Sequence, residues 1–135
     1  MRIVLDANVV IAAFASRGLC ESVLEFCLAG QELIFSPHLL DEIATNLRRK
    51  IKLSNPVVES VLELLRDQGT MFDPTPVPAD ACRDPDDTKI LGLAMASEAD
   101  YIVTGDKDLL VLKAYQGIPI VSPRSFSEKI RERRD

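Results

Sequence analysis

Short apolar runs alternate with stretches of helical periodicity along the whole chain, and this alternation constrains the fold more than any other feature. Ile3-Val4-Leu5 stops at Asp6, Leu33-Ile34-Phe35 at Ser36-Pro37, Tyr101-Ile102-Val103 at Thr104-Gly105, and the run 118–121 at Ser122-Pro123. Runs this short, bounded by polar groups, read as buried strands. Strands are expected over 2–6, 32–35, 71–73, 101–104 and 118–121. The first helix starts from Asp6, with Val9, Val10, Ala13 and Phe14 on its apolar side, and Gly18 closes it. A second covers 19–29, ended by Gly30 as a C′ residue. Ser36-Pro37 opens a third as N-cap and first helical residue, with Leu39, Leu40, Ile43, Leu47 and Ile51 as its buried stripe. Ser54-Asn55-Pro56 opens a fourth, which Gly69 stops. The segment 74–82, with Pro74, Pro76 and Pro78, reads as an extended connection. Asp84-Pro85 opens a fifth helix to about Ser97, 107–112 is a short one, and Ser122-Pro123 starts the last, whose charged end, 131–135, is expected to fray. Strands alternating with helices imply one α/β domain over 1–135, with a mostly parallel sheet and right-handed crossovers.

In such a sheet, ligands sit beyond the C-terminal ends of the strands, at the point where strand order reverses. Asp6 ends the first strand, and Asp106 and Asp108 follow the strand 101–104. Asp84-Pro85-Asp86-Asp87 opens the fifth helix. Acids in a first turn commonly serve only to complement the helix dipole, but Asp87 lies on the side of Ile90, Leu91 and Ala94 and so points inward. An inward carboxylate needs a compensating partner. On the third helix, Asp41 and Glu42 flank the apolar stripe at similar angles, and periodicity does not choose between them.

Composition narrows the chemistry. The net charge is −5, against the basic balance usual for a protein that grips nucleic acid through many phosphates. The three cysteines have no CxxC spacing and there is one histidine, so zinc is poorly supported; buried reduced thiols fit better. Cys20 and Cys27, seven residues apart, share a helix face. Several carboxylates without thiol or imidazole partners suit a hard cation, Mg²⁺ or Mn²⁺. Such an ion would let an acidic protein act on a polyanion. The start of the chain does not resemble a signal peptide, and no apolar stretch approaches the roughly 20 residues that span a bilayer, so a cytoplasmic protein without membrane contact is expected.

Four segments, IVLDANVVIAAF, SPHLLDEIATNL, RDPDDTKILGLA and DYIVTGDKDLL, together resemble the PIN-domain family over essentially the whole chain. RDPDDTKIL and TGDKDLL are most similar to its branch of prokaryotic toxin components. The resemblance implies a three-layer α/β/α fold with a mostly parallel five-stranded sheet in the order 3-2-1-4-5. That order puts the first strand beside the fourth, and Asp6 near Asp106. It implies that Asp6, Glu42, Asp87 and Asp106 are catalytic, that Asp6, Asp87, Asp106 and Asp108 hold metal, and that Asn8 and Thr104 support them. Asp108 shares or replaces the role of Asp106, and Asp86 is a weaker candidate. Ala7 stands where the family usually has Thr or Ser. The implied activity is a Mg²⁺- or Mn²⁺-dependent endoribonuclease on single-stranded RNA, leaving 5′-phosphate and 3′-hydroxyl ends. A homodimer and a cognate antitoxin are the implied partners. Arg17, in the loop after the first helix, and Arg48, Arg49 and Lys52 are candidate RNA contacts.

Three other readings were weighed. A partner-binding relative without activity should have lost an acid, and every matched acid is present. A phosphotransferase of the haloacid dehalogenase type needs Asp-x-Asp after its first strand, where this chain has Asp6-Ala7-Asn8; a receiver domain needs paired N-terminal acids. A nuclease for DNA or structured nucleic acid keeps the fold but usually carries added domains. His38 reads as a surface or cap residue. Phe14, Phe26, Phe35 and Phe72 read as core. With no tryptophan and two tyrosines, aromatic stacking on bases has little support.

Overall fold

The strands follow from the apolar runs. A computed structural model of the protein describes residues 1–134. It forms β1 (Arg2–Leu5), β2 (Glu32–Phe35), β3 (Gly69–Met71), β4 (Tyr101–Val103), β5 (Ala114–Tyr115) and β6 (Ile118–Val121). The helices are α1 (Ala7–Ala15), α2 (Leu19–Gly30), α3 (Pro37–Arg49), α4 (Asn55–Gln68), α5 (Thr88–Ser97), α6 (Lys107–Leu110) and α7 (Pro123–Arg134). A 3₁₀ turn, Pro85–Asp87, leads into α5.

The sheet order is β3-β2-β1-β4-β6-β5. Its first five strands are parallel, in the order the resemblance implies. The expected count of five is corrected to six, because β5 adds an antiparallel edge strand, pairing Ala114 with Pro119 and Tyr115 with Ile118. Gln116 and Gly117 between them both have positive φ, 50° and 82°. That is the two-residue turn whose twist suits a hairpin. A two-residue strand leaves no periodicity, and Gln is an unusual residue for the first turn position.

Central strands are buried on both faces. Ile3, Val4, Leu5, Leu33, Ile34, Phe35, Ile102 and Val103 are all buried, which is why they read as continuous apolar runs. α1 packs against α2 and α3, α3 against α4, and α2 against α7. α5 packs on β1, β2 and β4, on the other face, as right-handed crossovers to and from the far edge require. Phe126 fills the space between α7 and the sheet, edge-on to Phe26 and Tyr101 at 6.2 and 5.5 Å. Phe35 is buried, and Phe14, Phe26 and Phe72 are partly buried against the core, as expected. No helix among the described residues is long and apolar enough to cross a membrane.

Several boundaries move. The third strand is 69–71, not 71–73, because Gly69 both ends α4, donating to the Leu65 carbonyl, and pairs with Leu33. The fifth helix starts at Thr88, because Asp84 tightens the preceding turn: its side chain accepts from Asp86 N and its carbonyl from Asp87 N. Gly30 is the last residue of α2 rather than its C′ residue, and Gln31 follows in extended conformation. The end of α7 is helical through Arg134 rather than frayed, and Asp135 lies outside the described residues.

The extended segment 74–82 is strapped to α5. Thr75 N donates to the Gly92 carbonyl at 3.0 Å. A Cβ on Gly92 would lie 2.3 Å from the Thr75 carbonyl oxygen, so only glycine allows this approach. Gly92→Ala is therefore expected to lower stability by about 1–3 kcal/mol through overpacking. Gly30→Ala, in open space, is expected to be neutral or slightly stabilising. Chemical denaturation of both variants checks the pair.

Candidate active site

Asp6 is the residue at which β1 surfaces and α1 begins. Its backbone N–H donates to the Val103 carbonyl, the last rung between β1 and β4. Its carboxylate is the N-cap of α1 and is only 6% exposed. Oδ1 accepts from Ala7 N at 2.7 Å, and Oδ2 from the Thr104 hydroxyl at 2.7 Å. Thr104 is fully buried, and its Oγ1 in turn accepts from Asp106 N at 3.0 Å. One hydroxyl thus fixes both the first acid and the start of the acidic turn that follows β4. Burial pushes the Asp6 carboxyl above its ordinary value, with the charge of Asp106 adding, while the bonds from Thr104 and Ala7 oppose the shift.

Asp106 is the N-cap of α6, and its Oδ1 accepts from Asp108 N at 2.8 Å. From the other chain segment comes Asp87, at the end of the 3₁₀ turn. One carboxylate oxygen from each of Asp87, Asp106 and Asp108 lies within 4.8 Å of the others. Asp87 Oδ2 is buried and has no hydrogen-bond partner. Its carboxyl is pushed up to about 7, first by burial, then by a hydrogen bond and charge repulsion from Asp106, with Asp84 and Asp6 adding. A cation bound beside such a group would stabilise its ionised form. The all-oxygen donor set and the orphaned oxygen fit Mg²⁺ or Mn²⁺. Two concavities of about 480 and 750 Å³ open at the opposite, N-terminal ends of the strands, around Met1 and Asp100, but they hold no comparable group of ligands among the described residues.

Glu42 lies on the exposed side of α3, on the second turn. Its carboxyl is raised by burial of its surroundings and by the charges of Asp6 and Asp86, against His38 and Lys50. This places Glu42 toward the acids, which periodicity could not decide against Asp41. Asn8 is exposed in the first turn of α1, and its side chain makes no hydrogen bond among the described residues. Arg17 is exposed between α1 and α2, one helix length of about 13 Å from Asp6. Arg48 ties α3 to α4, donating to Asn55 and pairing with Glu59 at 3.2 Å. Arg49 and Lys52 are exposed beyond the far end of α3, and Lys52 has φ 59°. The four basic candidates therefore do not converge on the carboxylates.

Sequence reasoning passed over two neighbours of the acids. Cys82 was read as a buried thiol. It is buried, but beside the site: its Sγ donates to the Asp84 carbonyl, and burial and then the charges of Asp87, Asp84, Asp106 and Asp108 push its thiol up. Arg83 pairs loosely with Asp108, Nη1 to Oδ1 at 3.9 Å. The available signal was adjacency to Asp84 in the same turn. Cys27, by contrast, sits in the core, where burial pushes it up to about 12.

A carboxyl whose pKa is higher folded than unfolded destabilises the fold once it must ionise. Below about pH 4 both states keep the proton and the cost vanishes; it grows as pH rises and is complete above the folded value near 7. The gain in Tm of Asp87→Asn over wild type, measured in EDTA, is therefore expected to increase from pH 4.5 to pH 8. Divalent ion binding near pH 6.5 should release protons, seen by calorimetry in buffers of different ionisation heat. Thr104→Val leaves Asp6 Oδ2 without its donor and should cost about 1–3 kcal/mol, more at pH 8 than at pH 5, while Thr104→Ser is expected to be near neutral.

Comparison with known proteins agrees with this architecture. Residues 2–108 match the PIN domain family. An uncharacterized protein of Methanocaldococcus jannaschii, MJ1680, is 29% identical over 120 residues, covering 84% of this chain and 76% of the relative. PIN domains are a nuclease-type fold that uses divalent metal ions, and a parallel sheet in this order with carboxylates at its switch point is that fold: the chain belongs to the PIN-domain family.

Proposed function

We propose that the protein is a Mg²⁺- or Mn²⁺-dependent endoribonuclease that hydrolyses phosphodiester bonds of single-stranded RNA. The observation that carries this reading is the convergence of Asp87, Asp106 and Asp108, with one buried oxygen of Asp87 left without a partner. Those three residues, backed by Asp6, would hold the ion. A divalent ion bound there lowers the pKa of a coordinated water and offsets the charge of the phosphodiester. Asp6 stays oriented through its bonds to Thr104 and Ala7. Asp87, whose carboxyl is pushed up by burial and by Asp106, would offer its unpartnered Oδ2 to the ion. Glu42, exposed and raised by burial and by the charges of Asp6 and Asp86, would take a proton from the attacking water. Asn8, exposed one turn into α1, would contact the substrate.

The motifs RDPDDTKIL and TGDKDLL support a narrower reading, the toxin of a toxin–antitoxin pair, working as a homodimer and held in check by a cognate antitoxin in the cytoplasm.

Purified protein is expected to cut a labelled single-stranded RNA with Mn²⁺ or Mg²⁺ and to stop in EDTA. Asp6→Asn, Glu42→Gln, Asp87→Asn and Asp106→Asn should each lower the rate by roughly 100-fold or more while circular dichroism stays native. Equal cutting by Asp6→Asn would assign the activity to a contaminant. Cutting of single-stranded DNA in preference to RNA would overturn the choice of substrate.

A further inference from the structure

We infer that Arg83 grips a phosphate of the RNA next to the scissile bond, an inference that rests on the RNA-cleaving reading above. The carboxylates create a charge problem that they cannot solve themselves. Asp6, Asp84, Asp86, Asp87, Asp106 and Asp108 lie on three chain segments near the C-terminal ends of β1 and β4, in a chain of net charge −5. An incoming polyanion needs positive charge beyond that of a bound ion. Of the ion pairs formed by the described residues, the Arg83–Asp108 pair is the one that touches the metal-ligating group.

Arg83 has the properties of a substrate contact rather than of a structural one. Its guanidinium is 3.9 Å from Asp108, beyond hydrogen-bond distance, and its side chain is 87% exposed. A pair this open contributes little to stability. Its backbone, however, is firmly held. Cys82 before it is buried and donates to the Asp84 carbonyl, and Asp84 after it caps the 3₁₀ turn. Ala81 N also donates to the Pro78 carbonyl at 3.0 Å. An anchored stem thus presents a free, planar fork of N–H donors at the rim of the carboxylates, the geometry that recognises phosphate oxygens in pairs. The basic candidates from the sequence lie elsewhere: Arg48 is engaged with Glu59, and Arg17 is a helix length away.

Binding, read apart from cleavage, tests this. Anisotropy of a fluorescein-labelled oligouridylate is measured with Ca²⁺ in place of Mg²⁺, over a range of KCl. Arg83→Ala is expected to weaken Kd by about tenfold and to reduce the slope of log K against log salt by about 0.7, the loss of one single-strand phosphate contact. Its Tm should match wild type. Arg83→Lys should keep the slope and recover part of the affinity, since it keeps the charge but not the fork. Lys129→Ala, on α7, is the remote control and should change neither quantity. Wild-type Kd and slope in Arg83→Ala, with RNA bound and cut normally, would overturn the role of Arg83 and leave the nuclease reading intact. Failure of wild type to bind or cut RNA would overturn both.

Discussion

The bond between Thr104 and Asp6 is the constraint on which the rest depends. A carboxylate that is 6% exposed is tolerated only when its oxygens are satisfied. Thr104 meets one from the adjacent strand, and the start of α1 meets the other. The same hydroxyl accepts from Asp106 N and so sets where the second acidic turn begins. Parallel pairing of β1 with β4, in the register Leu5 to Val103, is what brings the two residues level. Sheet order, helix capping and the position of the carboxylates are therefore one problem with one solution.

Around this fixed pair the acids are held in graded states. Asp6 is buried but well bonded. Asp87 is partly buried with an oxygen that has no hydrogen-bond partner, and burial and Asp106 push its carboxyl up to about 7. Glu42 is the most open and is raised mainly by its surroundings and by Asp6. Beneath these acids lie the apolar layers, where β1, β2 and β4 are buried except at their first residues.

Much of this was legible in the amino-acid sequence, because the central strands are short and fully buried and each ends at a polar residue. Asp6, Asp106 and the order of the parallel strands follow from that pattern together with the family resemblance. Other parts left no mark. β5 is two residues long, below any periodicity, and its turn uses Gln116 where Asn is usual. Asp41 and Glu42 are equivalent by helix angle; only the packing of α3 against α1, which begins at Asp6, separates them, through the field of Asp6. Cys82 and Arg83 look like ordinary loop residues, since nothing in a linear reading shows that 82–84 folds over the turn after β4. Arg17 stands out by its place in the loop after the first helix, and Arg48, Arg49 and Lys52 by their charge; neither signal reports distance from the carboxylates.

One consequence concerns synthesis. The Thr104–Asp6 bond joins residues 98 positions apart, and the carboxylates need segments on either side of that span. Contacts of such long sequence separation form late, after the local ones. During translation, the N-terminal helices and β1–β3 emerge first and can begin to fold as the chain lengthens, yet they carry only Asp6 and Glu42 of the acids. The carboxylate group therefore cannot assemble until synthesis has passed β4 and the turn beyond.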